Sequence, residues 1–115
     1  MQATARARFV RVSTRKARVV ADLVRGKKVV EALELLRFTR RAAVVPVEKT
    51  IRAAAANARS KEGGENVDVD DLVLEKIAID EGPVLKRHRP ASRGRIHSYR
   101  RPMSHITVTV ATRDA

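Results

Sequence analysis

Residues 72–112 read LVLEKIAIDEGPVLKRHRPASRGRIHSYRRPMSHITVTVAT, two strand-like runs on either side of a basic, proline-marked centre, and this arrangement decides the fold. In the second run Ile106, Val108 and Val110 alternate with Thr107, Thr109 and Ala111, the pattern of a half-buried strand. The first run, 72–80, is rich in Leu, Val and Ile with imperfect alternation, and also reads as a strand. Between them, residues 82–102 hold seven Arg and Lys, three Pro and no acidic residue. That segment has too few apolar side chains to pack a core of its own. If the two runs pair antiparallel, the centre becomes the far part of a hairpin whose midpoint falls between Ala91 and Ser92, with a turn near Pro90 and Gly94. Twenty residues per limb at about 3.3 Å each give about 65 Å, against a radius of gyration of about 13 Å for a compact chain of this length. A finger of that length has to project.

The rest of the chain supplies a modest body. The 94 residues outside 82–102 suffice for a small core, built from aliphatic residues and alanine, since the only aromatics are Phe9, Phe38 and Tyr99. With so few rings, stacking on bases is not the main expected binding mode. Thr4 to Val12 alternates, with Ala5, Ala7 and Phe9 on one face and Arg6 and Arg8 on the other, as in a strand. Ser13 or Thr14 offers an oxygen to cap a helix in which Ala17, Val20, Ala21 and Val24 face inward and Arg15, Arg18, Asp22 and Arg25 face away. Gly26 is a left-handed stop, and a second helix follows with Val29, Leu33 and Leu36 as its stripe. A third carries Val44, Val47, Ile51, Ala54, Ala55 and Ala58 inward. Pro46 either sits in its first turn or kinks it. Gly63-Gly64 ends that segment, and an acidic loop leads to residue 72.

Charge is distributed unevenly. Residues 1–28 carry nine basic and one acidic side chain, 29–81 eight and eleven, and 82–115 eight and one, so the formal net charge of +12 sits at the two ends. Two like-charged ends are compensated by a phosphate-rich ligand lying across both. The chain has no Cys, which excludes a disulfide framework and thiolate metal sites. No apolar run approaches the roughly 20 residues of a membrane span, and no signal-peptide pattern opens the chain. His88, His97 and His105 lack the spacing of a helical metal pair, and Ser13, Ser92 and Ser98 have no base and orienting acid at convincing positions. Asp68, Asp70 and Asp71 suggest a calcium loop, but Leu72 and Val73 stand where a ligand and a glycine are needed. No GxxxxGK loop exists for a nucleotide hydrolase. A helix-turn-helix DNA reader is the rival, with the turn at Gly26 and Lys27 and Lys28 near the groove, but Glu31 and Glu34 would face phosphate. It also leaves the finger unexplained.

The run Lys86-Arg87-His88-Arg89-Pro90-Ala91-Ser92-Arg93-Gly94-Arg95, followed by His105-Ile106-Thr107-Val108-Thr109-Val110, resembles the signature of the bacterial large-subunit ribosomal protein L twenty-two family. Ser13 to Lys28 is similar to that family's first helix and turn, and Asp80-Glu81-Gly82-Pro83 to its hairpin entrance. The resemblance covers essentially the whole chain. It departs at Ala91, where the family usually places a basic residue. The resemblance implies an α+β fold, three helices packed on a small antiparallel sheet with a long protruding β-hairpin, as a single domain over 1–115 with 82–102 as the basic hairpin tip. It also implies a non-enzymatic structural component of the large subunit that binds ribosomal RNA, supports assembly and lines the nascent-peptide exit tunnel near the macrolide site. The carried-over contacts are Lys86, Arg87, His88, Arg89, Pro90, Arg93, Gly94, Arg95 and His97 at the tip, with Arg100 and Arg101 on the returning limb. On the body they are Arg6, Arg8, Arg11, Arg15, Lys16, Arg18, Arg25, Lys27 and Lys28. The implied partners are ribosomal RNA, neighbouring large-subunit proteins and the nascent peptide, with no cofactor, no metal, no membrane and no homo-oligomer. The implied location is cytoplasmic and ribosome-bound. His105 is as well suited to a structural hydrogen bond as to RNA.

Overall fold

The structure, a computed structural model, describes residues 2–61, 68–90 and 92–112. In chain order its elements are β1 (Gln2–Val10), α1 (Thr14–Val24), α2 (Val29–Arg37), α3 (Val44–Ser60), β2 (Leu72–Glu81), β3 (Leu85–Pro90), β4 (Ile96–Arg101) and β5 (Ser104–Thr112). One antiparallel sheet has the order β1-β5-β2, and β3 pairs with β4 in a second. The last strand is therefore the centre of the body. The helices lie on one face of that sheet, α3 against β1 and β5 and α1 against β2. This is the α+β class that the sequence predicts.

The core is aliphatic throughout. Ile106, Val108 and Val110 of β5 meet Leu72, Leu74, Ile77 and Ile79 of β2, Ala3 and Ala5 of β1, and the helical stripes Ala17, Val20, Ala21, Val24 and Val44, Val47, Ile51, Ala54, Ala58. Burying each large aliphatic side chain contributes about 1.5–3 kcal/mol, and the alanines let α3 approach the sheet closely. The uneven alternation of β2 has a simple cause. Its register on β5 shifts between Leu74 and Lys76, so an inserted residue at Glu75 returns Ile77 and Ile79 to the face of Leu72 and Leu74.

Three local expectations are corrected. Phe9 does not join the buried face of β1. It has φ 57° in the irregular stretch between Ala7 and Val10 and stands 57% exposed. Its ring instead meets the His105 imidazole edge-on at 5.0 Å, and its N–H donates to His105 Nδ1 at 3.1 Å. Neither Ser13 nor Thr14 caps α1 with its side chain. Ser104, fully buried, donates its hydroxyl to the Val12 carbonyl at 2.8 Å and shares a 2.9 Å hydrogen bond with Thr14 Oγ1. On α2 the buried stripe is Val29, Ala32 and Leu36, with Leu33 only partly covered. Gly26 takes φ 79° as its stop role requires. Pro46 sits in the first turn of α3, where its missing donor costs nothing. Gly63-Gly64, much of the acidic loop and Ala91 lie outside the described residues.

The two limbs leave the body together. β2 and β5 pair as far as Glu81 opposite Ser104 and end on a Gly82 N–H to Met103 carbonyl bond of 2.8 Å. Pro83 and Pro102 then interrupt the ladder, since neither can donate. Three residues on the outgoing limb face two on the returning one before Leu85 pairs with Arg101. That extra residue, the one at Glu75 and the pairing of Leu72 with Thr112 rather than Ala111 together move the hairpin centre from the expected point between Ala91 and Ser92 to Arg93. There Arg93 and Gly94 take φ 61° and 70° in a short turn over Ser92–Gly94. The molecule measures 66 Å along its long axis with a radius of gyration of 17.3 Å, well above the compact value of about 13 Å.

Ser104→Ala leaves the Thr14 hydroxyl and the Val12 carbonyl without their buried partner. We expect a loss of about 1–3 kcal/mol, read as a lower urea midpoint at unchanged m-value; a wild-type midpoint contradicts this junction.

Candidate nucleic-acid interface

Register and alternation sort the β3–β4 side chains into two faces. Leu85, Arg87, Arg89, His97, Tyr99 and Arg101 share one, and Lys86, His88, Pro90, Ile96, Ser98 and Arg100 the other. Both faces are basic, and apart from half-buried Leu85 and Tyr99 the described residues of 85–101 are exposed. On the first face the Arg89 and Arg101 guanidinium carbons lie 5.3 and 5.4 Å from the Tyr99 ring centroid, within cation–π range. Arg93 and Gly94 form the turn, and Arg95 adjoins it. The predicted hairpin residues are thus collected on one two-stranded arm.

Where that arm meets the body, a cleft of about 610 Å³ opens between Leu85, Arg87, Tyr99, Arg101 and Pro102 on one wall and Arg11, Val12, Ser13, Lys16 and Ala42 on the other. Four cations line it, and no carboxylate does among the described residues. The Ser104 junction positions the second wall, because it fixes the chain between β1 and α1 against β5.

The face of the β1-β5-β2 sheet away from the helices forms a second basic surface. Arg6, Arg8, Lys76 and His105 surround a shallow depression of about 400 Å³ with Phe9, Ala78, Thr107 and one acid, Asp80. His105 sits opposite Asp80 in the register. Its bond from Phe9 N–H requires an unprotonated Nδ1.

The cations of α1 divide into two kinds. Arg15 and Lys16 are exposed. Arg18 donates to the Ile79 carbonyl through Nε at 3.3 Å and Nη2 at 3.1 Å, and Arg25 donates to the Ile77 carbonyl at 3.0 Å and pairs with Asp22. The expectation that Arg18 and Arg25 face away from the body is corrected: both guanidiniums lie against the free edge of β2. Lys27 and Lys28 continue that edge through their backbone, by a 2.9 Å bond from Leu74 N–H to the Lys27 carbonyl and a bridge between Lys28 and Val73. This docked turn is not a helix-turn-helix reader. Glu31 and Glu34 of the following helix are exposed.

Two interrupted limbs, a two-faced basic arm and a body closed around the strand that follows it agree with the sequence match. Residues 5–111 match the ribosomal protein L22p/L17e family. The chain belongs to that family. It is 50% identical over 111 residues to large ribosomal subunit protein uL22 of Desulforamulus reducens, covering 96% of each chain. Family membership makes it a large-subunit ribosomal protein and not an enzyme. Among the described residues no group of three or more His, Asp or Glu could hold a metal ion, and no helix is long and apolar enough to cross a membrane.

Sequence reasoning passed over three features of the interface. Arg40 and Arg41, exposed and immediately before the cleft residue Ala42, were hidden in a stretch of net negative charge. Lys76 reaches the open sheet face only because of the inserted residue at Glu75. Tyr99 looked like an isolated ring, and only the hairpin register puts it among arginines.

Arg18→Ala removes both bonds to the Ile79 carbonyl and should cost about 1 kcal/mol. Arg15→Ala should stay within about 0.5 kcal/mol. Equal denaturation midpoints for the two variants contradict the division between structural and presented cations.

Proposed function

We propose that the chain binds large-subunit ribosomal RNA through its hairpin, the cleft at the hairpin base and the open sheet face, and that the hairpin lines the nascent-peptide exit tunnel. The observation that carries this is the arm itself, a two-stranded ribbon basic on both faces and without an acidic residue. Such an arm matches a polyanion that surrounds it rather than one lying against a single side. Lys86, Arg87, Arg89, Arg93, Arg95, Arg100 and Arg101 meet phosphates along it, with His88 and His97 between them and Pro90 and Gly94 shaping the tip. Arg6, Arg8, Arg11, Arg15 and Lys16 anchor the body, and Arg18, Arg25, Lys27 and Lys28 add charge from the edge they close. Arginine suits this role because its planar fork donates two bonds to one phosphate.

In this reading 1–115 is a single ribosomal-protein domain and 82–102 its extended basic tip, ribosome-bound in the cytoplasm and not a homo-oligomer. Neighbouring large-subunit proteins contact the body, and the nascent peptide passes the hairpin. Electrostatics supply affinity, and the shape of the arm supplies address. The relative's assignment to the large subunit supports the same placement.

Tagged protein in a lysate should sediment with the large-subunit peak at physiological salt, and its absence there overturns the proposal. If body and hairpin together neutralise about ten phosphates, log Kobs for purified RNA falls against log salt with a slope of about −9. Deleting 85–101, which joins Val84 to Pro102, removes β3, β4 and the segment between them and should flatten that slope while keeping cooperative melting. Loss of cooperative melting means that the arm is part of the core.

A further inference from the structure

The cleft at the hairpin base is larger than the depression on the open sheet face and, unlike it, has no acidic residue in its lining among the described residues. It is concave, within the range of about 300–1,000 Å³ typical of small-ligand clefts, and it is lined by an aromatic ring and apolar groups as well as cations. Val12, Leu85 and Pro102 stand beside the Tyr99 ring, with Arg11, Lys16, Arg87 and Arg101 around them. An A-form duplex presents phosphates and 2′-hydroxyls across a wide, shallow groove and inserts nothing into such a space. An unpaired nucleotide inserts a planar base, which stacks on aromatic rings or guanidinium planes, while its phosphates remain at the rim.

We propose that this cleft is a binding site for an unpaired nucleotide of single-stranded RNA, its base held against Tyr99 and Arg101 and its phosphates by Arg11, Lys16 and Arg87. The inference rests on the RNA-binding function proposed above and adds to it a ligand class and a place. The ring is held ready for the purpose. Tyr99 lies opposite Arg87 in the β3–β4 register, and guanidiniums from Arg89 and Arg101 lie 5.3 and 5.4 Å from its centroid. These contacts restrict its rotamers before any ligand arrives, which lowers the ordering cost of binding. The opposite wall is held by the Ser104 junction. A base entering the cleft therefore meets two walls tied to the same strand system.

Tyr99 is the only tyrosine of a chain without tryptophan, so its emission reports this site alone. The full-length protein is titrated with hexauridylate, with a 12-base-pair RNA duplex and with inorganic polyphosphate as a base-free polyanion, absorption by the RNA being corrected. Hexauridylate should quench Tyr99 saturably, and polyphosphate should bind without quenching. By anisotropy of end-labelled hexauridylate, Tyr99→Leu should bind about ten-fold more weakly, Tyr99→Phe should bind like wild type, and duplex affinity should be the same for all three. Quenching by polyphosphate equal to that by hexauridylate overturns the site, as does wild-type hexauridylate affinity in Tyr99→Leu. In both cases retained duplex binding leaves the ribosomal RNA function standing. Failure of every RNA to bind overturns both. Circular dichroism of Tyr99→Leu matching wild type keeps a folding defect from imitating the expected result.

Discussion

A three-stranded sheet has two free edges, and the need to close them organises this body. With β5 in the centre, the outer rows of carbonyl and N–H groups on β1 and β2 would offer themselves to any other strand. Helix side chains occupy both rows. On β2, Arg25 reaches the Ile77 carbonyl and Arg18 the Ile79 carbonyl, two turns of helix serving two alternate residues of strand, and the Lys27 carbonyl takes the Leu74 N–H. On β1, Asn57 and Lys61 of the α3 end donate to the carbonyls of Thr4 and Gln2 at 3.0 and 2.6 Å. The i, i+4 spacing on the helix again serves alternate residues on the strand. Several polar side chains of the helices are thus structural, and the helices are positioned by edge bonds as well as by apolar packing.

Edge closure also determines where the hairpin can begin. β2 and β5 can run past the body only after the last helix contact, and the ladder there is broken by Pro83 and Pro102. Ser104 stands at the boundary, paired with Glu81 on one side and Val10 on the other and bonded to Val12 and Thr14. Beyond it only the start of α1 stands near the limbs, and the side chains turn from aliphatic to basic within four residues. The arm is the continuation of the central strand into a region without a core.

Most of this body was legible because its signals are local. The alternation of Ile106, Val108 and Val110 and the helical stripes of α1 and α3 are periodic and aliphatic, so burial and period agree. The hairpin centre was missed because register counts every inserted residue, and neither the extra residue at Glu75 nor the three-against-two joint leaves a compositional mark. Phe9 was misread because its positive φ breaks the period on which the inference rests, and no local residue signals it. The roles of Arg18 and Arg25 were hidden for another reason. A guanidinium closing a strand edge and one awaiting a phosphate look alike in sequence, and only the position of the neighbouring carbonyl separates them. Tyr99 became interpretable only through its cross-strand partners.

The arm carries an electrostatic conflict that its composition makes unavoidable. Lys86 stands directly opposite Arg100, and like charges in such a position destabilise a ladder. A two-stranded ribbon without an apolar layer is marginal even without that repulsion. The aliphatic body therefore has to hold the two limbs in register from one end, through Ser104 and the Gly82 to Met103 bond. Phosphate placed along the arm removes the repulsion and releases condensed counterions as well. The charges that weaken the ladder in the free chain are the same charges that favour the arm once a polyanion surrounds it. This explains why the basic residues can be concentrated on the part of the molecule least able to bear them.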